Sequence, residues 1–285
     1  MGIQVEENAG FIKCKCDKIL AADINLDFPS VGATENIILA ATLAEGTTVI
    51  NNAAMEPEII DLANCLNRMG ARIQGAGTNI IKITGVKKLK GTGYKVMPDR
   101  IEAGTILCAA AVTGGKVKIK NVIPEHLIPV IHKLQEAGCQ MNVQKNSIEI
   151  DAPKKLKAIE IKTMPYPGFP TDLQQIFGSI LTTAKGTSII IENIFENRFK
   201  YTNELIRMGA KITIEGKTAI ITGKRKLTGA NVHGNDLRGG AGLVLAGLVA
   251  KGKTTVENID YVLRGYENLD EKLNMLGANI RKVGE

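Results

Sequence analysis

Four charged side chains stand where an anionic ligand is easily held: Asp172, Arg198, Arg238 and Arg264. Asp172 opens an apolar helical stretch in FPTDLQQI, and Arg238 opens another in GNDLRGGA. Arg198, in FENRF, and Arg264, in VLRGYENLD, lie at comparable places near the starts of two later helices. Free N–H groups and the positive dipole end favour an anion at helix starts, and a guanidinium fork adds bidentate recognition of phosphate or carboxylate. Each arginine alone reads more readily as a surface salt-bridge residue than as a ligand-binding one. Three at equivalent positions, sharing one face if the helices stack in parallel, point to an anion site. Asp172 with Gln175, like Asp99 with Glu102, has capping-box spacing, so Asp172 is expected to cap its own helix. The turn Ser30-Val31-Gly32-Ala33-Thr34 is a second, weaker anion candidate, with hydroxyls and a glycine for close backbone approach. It lacks the lysine of a Walker loop, and no GxGxxG follows a strand.

The remaining reactive side chains carry less. Cys14 and Cys16 alternate on a strand and could begin a metal site, but no second Cys or His pair completes it. Five cysteines without regular spacing make no disulfide framework, and all five are expected to be small buried or half-buried residues. His126, His132 and His233 have no nucleophile pattern beside them and are assigned to the solvated surface. No metal or cofactor is expected. The 285 residues carry a net charge of +7, which favours an anionic partner, but aromatics are 4% with no Trp, against a base-stacking nucleic-acid platform. Hydrophobic residues at 44% and charged residues at 23% suit a soluble globular chain, and no apolar run approaches the roughly 20 residues of a membrane span. The opening MGIQVEENAGFIKCKC is not built like a secretory signal, so a cytoplasmic protein is expected.

The elements that must position these residues repeat. LNRMGARIQGAGTNIIKITG, LQEAGCQMNVQKNSIEIDAP, LIRMGAKITIEGKTAIITG and LNMLGANIRKVGE each end a helix at a glycine and enter alternating strand residues. Gly70, Gly138, Gly209 and Gly277 thus occupy the left-handed position that closes a helix. Upstream of each lies an Ala/Gly-rich helix and a β-rich run that ends at Asn, as in LAATLAEGTTVINNA and ILTTAKGTSIIIENI. The unit is helix, strand, helix, strand, strand, with a period of about 70 residues. Such units suggest an α/β (α+β) repeat with sheets outside and helices within, and a domain boundary in GTGYKVMPDR near Pro98, dividing residues 1–97 from 98–285. Met1-Gly2 aligns with Met69-Gly70 and Met208-Gly209, so the chain is expected to begin inside a repeat. At the other end Ile280-Arg281-Lys282-Val283 is expected to enter a strand without its returning partner, leaving sheet edges open.

PSVGATEN, NAAMEPEIIDLANCLNRMGA, PDRIEAGT, TMPYPGFPTDLQ, FENRF, DLRGGAGLVLAGLVAKG and RGYENLDEKL together resemble the bacterial UDP-N-acetylglucosamine enolpyruvyl transferase family. The resemblance covers nearly the whole chain. It implies a two-domain inside-out α/β barrel of six units, of which about two thirds are present: the C-terminal part of the first, UDP-sugar-side domain in 1–97 and the second domain in 98–285. It implies transfer of the enolpyruvyl group of phosphoenolpyruvate to the sugar's 3′-hydroxyl with release of phosphate, the first committed step of peptidoglycan synthesis and hence of cell-wall growth, cell shape and division. By that resemblance Asp172 is the base near the attacking hydroxyl, and Arg238 and Arg264 grip phosphoenolpyruvate. Arg198 resembles a third active-site arginine, Ser30, Val31 and Gly32 hold the uridine diphosphate portion, and Ile194 offers the sugar a backbone contact.

Two departures accompany the match. The family's Lys-Asn pair and its mobile loop with a reactive Cys and an Arg fall upstream of Met1, and Phe28-Pro29 stand where some members carry a basic residue. Impaired turnover is therefore expected of this chain, with a second chain as one possible source of the absent repeats. A non-catalytic UDP-sugar or anion-binding module is the alternative expectation, and nucleic-acid binding a more distant third.

Overall fold

The computed structural model describes residues 1–224 and 226–283. They form two compact units: residues 1–97 with 165–167, and residues 98–164 with 168–285. The first unit runs β1 (Gln4–Asn8), β2 (Phe11–Lys15), β3 (Asp23–Asn25), α1 (Val31–Ala41), β4 (Thr47–Asn51), α2 (Pro57–Arg68), β5 (Arg72–Gln74) and β6 (Ile80–Thr84). Strands β3-β4-β6-β5 make one sheet in that order, with β3 parallel to β4 and the rest antiparallel. Ile50, Ile81 and Ile83 on its inner face close over Ile38 of α1 and Ile59 of α2. The hairpin β1-β2 is a separate two-stranded sheet whose residues are exposed on both faces.

In the second unit the chain continues as α3 (Arg100–Thr113), β7 (Lys116–Lys120), a 3₁₀ turn, α4 (Ile128–Glu136), β8 (Gln140–Gln144) and β9 (Ser147–Asp151). Next come β10 (Glu160–Lys162), α5 (Thr171–Leu181), β11 (Thr187–Ile191), α6 (Tyr201–Arg207), β12 (Lys211–Glu215) and β13 (Thr218–Thr222). Finally β14 (Asn231–His233), α7 (Leu237–Val249), β15 (Thr255–Glu257), α8 (Asp260–Leu263) and α9 (Leu269–Met275) complete it. The sheets are β7-β9-β8, β10-β11-β13-β12 and β14-β15. The helices α3, α5 and α7 pack on one another and carry the core, because their small residues permit close approach. A Cβ at Gly104 would lie 2.5 Å from Leu173, and one at Gly242 would lie 2.5 Å from Ser179.

The repeat appears where the pattern placed it. Gly70, Gly138, Gly209 and Gly277 have φ of +103°, +102°, +86° and +97°. The next residue's N–H reaches back to the helix each time, from Ala71 to Leu66, Cys139 to Leu134, Ala210 to Leu205 and Ala278 to Leu273, at 2.9 to 3.0 Å. This six-to-one bond is what a left-handed cap requires. The short parallel strands β3, β10 and β14 were not anticipated, since three residues are too few to show periodicity. Residues 280–283 form no strand, contrary to expectation, as no second strand pairs with them among the described residues. Nor is any helix among those residues long and apolar enough to cross a membrane.

Candidate functional site

Three expected residues meet in the second unit. Asp172 Oδ1 accepts from Arg198 Nη2 at 2.9 Å, while Oδ2 accepts from Arg238 Nε and Nη2 at 3.2 and 3.1 Å. The carboxylate lies on the first turn of α5, Arg238 on the first turn of α7, and Arg198 on the loop that leads into α6. The helix starts thus share one end of the α3-α5-α7 core, as parallel stacking of repeats required. The Asp172 side chain is 40% exposed, against 20% for Arg198 and 13% for Arg238, so the acid is the open member of the group.

The expectation that Asp172 caps its helix does not hold. The cap position of α5 is Pro170, which supplies no side-chain bond, and Asp172 sits inside the first turn facing the arginines. Two guanidinium partners outcompete a backbone N–H for a carboxylate. The Gln175 side chain turns elsewhere too, its Nε2 donating to Asp236 Oδ2 at 3.0 Å. True caps occur at Asp99, which accepts from the N–H groups of Ile101 and Glu102, and at Asp236, which accepts from those of Arg238 and Gly239. Asp236 therefore fixes the backbone of the residue whose side chain grips Asp172.

Each arginine also rests on a ring. Arg238 lies 5.1 Å from the centroid of Tyr266, whose hydroxyl meets Thr105 Oγ1 at 2.9 Å, and Arg198 lies 4.8 Å from that of Phe195. Burial works against the Arg238 charge, but Tyr266 and Asp172 outweigh it and hold the guanidinium above its ordinary range. Burial pushes the Tyr266 phenol up, partly offset by Arg238 and the Thr105 bond. Arg238 Nη1 and Arg198 Nε are buried donors without a hydrogen-bond partner among the described residues. Such groups cost free energy, so the site keeps cationic capacity beyond what Asp172 consumes.

Arg264 does not touch Asp172. It is exposed at the C-terminal end of the short α8, ahead of α9, and it lines with Arg238 an open groove of about 700 Å³ bordered by Asp99, Glu102, Tyr266 and Lys282. Ile194 lies on the loop after β11, where its N–H donates to Glu192 Oε1 at 2.8 Å. Glu192, which sequence reasoning missed, is a buried carboxylate at the end of a strand pattern; only its polarity among isoleucines marks it.

Ser30, Val31 and Gly32 belong to the first unit. Ser30 caps α1, its Oγ accepting from the Ala33 N–H at 3.3 Å, and Gly32 is exposed with open space around it. Thr34 ties this helix start to the loop after β4 through the Ala54 N–H at 3.0 Å. The stretch is thus the N-terminus of α1, in keeping with its polar helix-start residues.

Two assignments change. Cys14 and Cys16 are exposed, not buried, because nothing among the described residues covers the β1-β2 hairpin; Cys65 is half-buried, and Cys108 and Cys139 are buried. His132 is exposed, but His126 and His233 are half-buried, and His233 Nδ1 stands 3.1 Å from Glu257. Among the described residues no group of three or more His, Cys, Asp or Glu side chains is placed to hold a metal.

The EPSP synthase (3-phosphoshikimate 1-carboxyvinyltransferase) family matches residues 1–273. The chain is 56% identical over 284 residues to UDP-N-acetylglucosamine 1-carboxyvinyltransferase 2 of Caldanaerobacter subterraneus subsp. tengcongensis, covering 99% of this chain and 68% of that protein. It is 55% identical over 283 residues to UDP-N-acetylglucosamine 1-carboxyvinyltransferase 1 of Carboxydothermus hydrogenoformans, covering 99% and 67%. The chain therefore spans about two thirds of the length of these relatives. Among solved structures, the enolpyruvyl transferase NikO from Streptomyces tendae superposes with a TM-score of 0.87 at 26% identity, over 98% of this chain and 69% of that one. EPSP synthase from Acinetobacter baumannii, at 22% identity and a TM-score of 0.72 over 99% and 69%, shares the fold.

Proposed function

We propose that this chain, which belongs to the UDP-N-acetylglucosamine 1-carboxyvinyltransferase family, carries the base and the anion grip for enolpyruvyl transfer. The substrates are phosphoenolpyruvate and UDP-N-acetylglucosamine, the bond formed is to the sugar's 3′-hydroxyl, and phosphate leaves. The observation that carries this reading is the convergence of Arg198 and Arg238 on Asp172, with Arg264 in the same groove as Arg238. An acceptor hydroxyl must lose its proton as its oxygen attacks, and Asp172 is the exposed carboxylate at that point. The departing phosphate concentrates negative charge, which Arg238 and Arg264 neutralise, with Arg198 as a third cation. Ser30, Val31 and Gly32 hold the uridine diphosphate by their helix start, and the Ile194 backbone meets the sugar. Residues 1–97 then belong to the UDP-sugar-side domain and 98–285 to the second domain, in a cytoplasmic enzyme of peptidoglycan synthesis.

The test is phosphate release by the purified protein. Release that requires both substrates and is lost in Asp172→Asn supports the proposal. Release that ignores the sugar nucleotide or survives the substitution contradicts it. Saturable binding of UDP-N-acetylglucosamine without any turnover would instead favour a binding module.

A further inference from the structure

Resting on the function just proposed, we infer that Glu192 is a positioning residue that sets where the acceptor sugar sits. Its side chain is only 1% exposed in total and accepts four hydrogen bonds from three segments. Oε1 takes the Thr163 hydroxyl at 2.8 Å, the Ile194 N–H at 2.8 Å and the Phe195 N–H at 3.1 Å. Oε2 takes the Thr171 hydroxyl at 2.8 Å. One carboxylate thereby ties the residue next to Asp172, at the start of α5, to the loop that bears Ile194 and Arg198. Those are the groups proposed to meet the sugar from two sides: Asp172 at the reacting hydroxyl and the Ile194 backbone beside it. Four donors to a buried anion, each charge-assisted, leave little freedom in the spacing between them.

Comparison across the repeats shows that this role is peculiar to one unit. Ile191 pairs with Lys162 as Glu257 pairs with His233 and Asn51 with Asn25, so the place of Glu192, one residue on, is held by Asn258 and Asn52 in two other units. Glu257, one place earlier, has a side chain 47% exposed and 3.1 Å from His233 Nδ1. In the first unit the Asn52 side chain donates its Nδ2 to the Leu26 carbonyl at 2.8 Å. The loop path differs accordingly. Asn52, Asn121 and Asn258 have φ of +57°, +56° and +56°, whereas Glu192, at the same register, has no positive φ, and Asn193 after it donates its N–H to Thr163 Oγ1 at 2.9 Å. The generic strand end turns away in a left-handed residue; here the chain is drawn back onto Glu192.

The experiment measures the affinities of UDP-N-acetylglucosamine and phosphoenolpyruvate for the unsubstituted protein, Glu192→Gln, Thr171→Val and the double variant, with amide exchange at Ile194 and Phe195. Glutamine keeps the size and one acceptor oxygen but removes the charge and turns the Thr171 side into a donor. The expected result is a roughly tenfold loss of sugar-nucleotide affinity in Glu192→Gln, with phosphoenolpyruvate affinity held within about twofold, because Arg238 and Arg264, the two residues proposed to grip it, lie outside the clamped loop. The double variant should lose no more than the stronger single one, since both alter the same contact between Thr171 and residue 192. Equal weakening of both ligands, or no weakening, would overturn the inference. If the unsubstituted protein binds neither ligand, the proposed function fails, and the clamp is judged by exchange: Ile194 and Phe195 amides should exchange about tenfold faster in Glu192→Gln while β11 amides keep their rates. Unchanged exchange would refute the clamp itself.

Discussion

One oxygen of Asp172, Oδ2, receives both Nε and Nη2 of Arg238, so a single acceptor holds two arms of the guanidinium fork. The fork is also seated on the Tyr266 ring. A lysine reproduces the charge but neither the fork nor the stack. Arg238→Lys is therefore expected to weaken phosphoenolpyruvate by tenfold or more, about 1.5–3 kcal/mol, in a protein that remains folded. Calorimetric titration with circular dichroism as a control checks both halves.

Asp172 competes with any anion for the same guanidiniums. Asp172→Asn removes that competition along with the base. Phosphoenolpyruvate should bind several-fold more tightly, on the order of 1 kcal/mol, while turnover falls about 10²- to 10⁴-fold. Titration and phosphate-release rates on the same preparation decide it, and a loss of binding would show that Asp172 organises the arginines more than it opposes the ligand.

The fold makes its own demand at Gly178 on α5. A Cβ there would lie 2.0 Å from the Tyr201 hydroxyl, and Tyr201 is fully buried. Gly178→Ala is expected to destabilise the second unit by about 1–3 kcal/mol, lowering its melting temperature by several degrees. Differential scanning calorimetry reads the shift; an unchanged transition would mean that the Tyr201 ring moves aside freely.

Thiol reactivity should divide the cysteines by environment. Burial pushes the Cys139 thiol up to about 11 and raises Cys108 well above its ordinary value. Only the thiolate attacks, so a raised value means less nucleophile at pH 8, and reactivity should appear only as pH climbs toward the shifted value. Cys14 and Cys16 are exposed and should be alkylated first. Mass spectrometry after timed iodoacetamide treatment at pH 8 gives the order, with Cys108 and Cys139 unmodified in the folded protein.

How much was legible in the sequence depended on the range of the signal. The glycine-closed helix ends were plain because each needs one left-handed residue at one place, and four copies repeat it. Equivalent repeat positions suggested that the arginines share one face, but not that Arg198 and Arg238 meet Asp172: the local rule read Asp172 as a cap, and a long-range ion pair overrode it. Glu192 was invisible because its partners come from three separated segments, and Asn52, Asn121 and Asn258 hold its place in the other units. Exposure of Cys14 and Cys16 depends on what covers a hairpin, which alternation along a single strand does not encode.

The most direct measurement is a calorimetric titration of phosphoenolpyruvate into the protein at low ionic strength, alongside Arg238→Ala and Arg264→Ala. The anion grip predicts saturable one-to-one binding that weakens with added salt and is lost in Arg238→Ala. Binding that persists at full strength in both variants, or its absence from the unsubstituted protein, would contradict it.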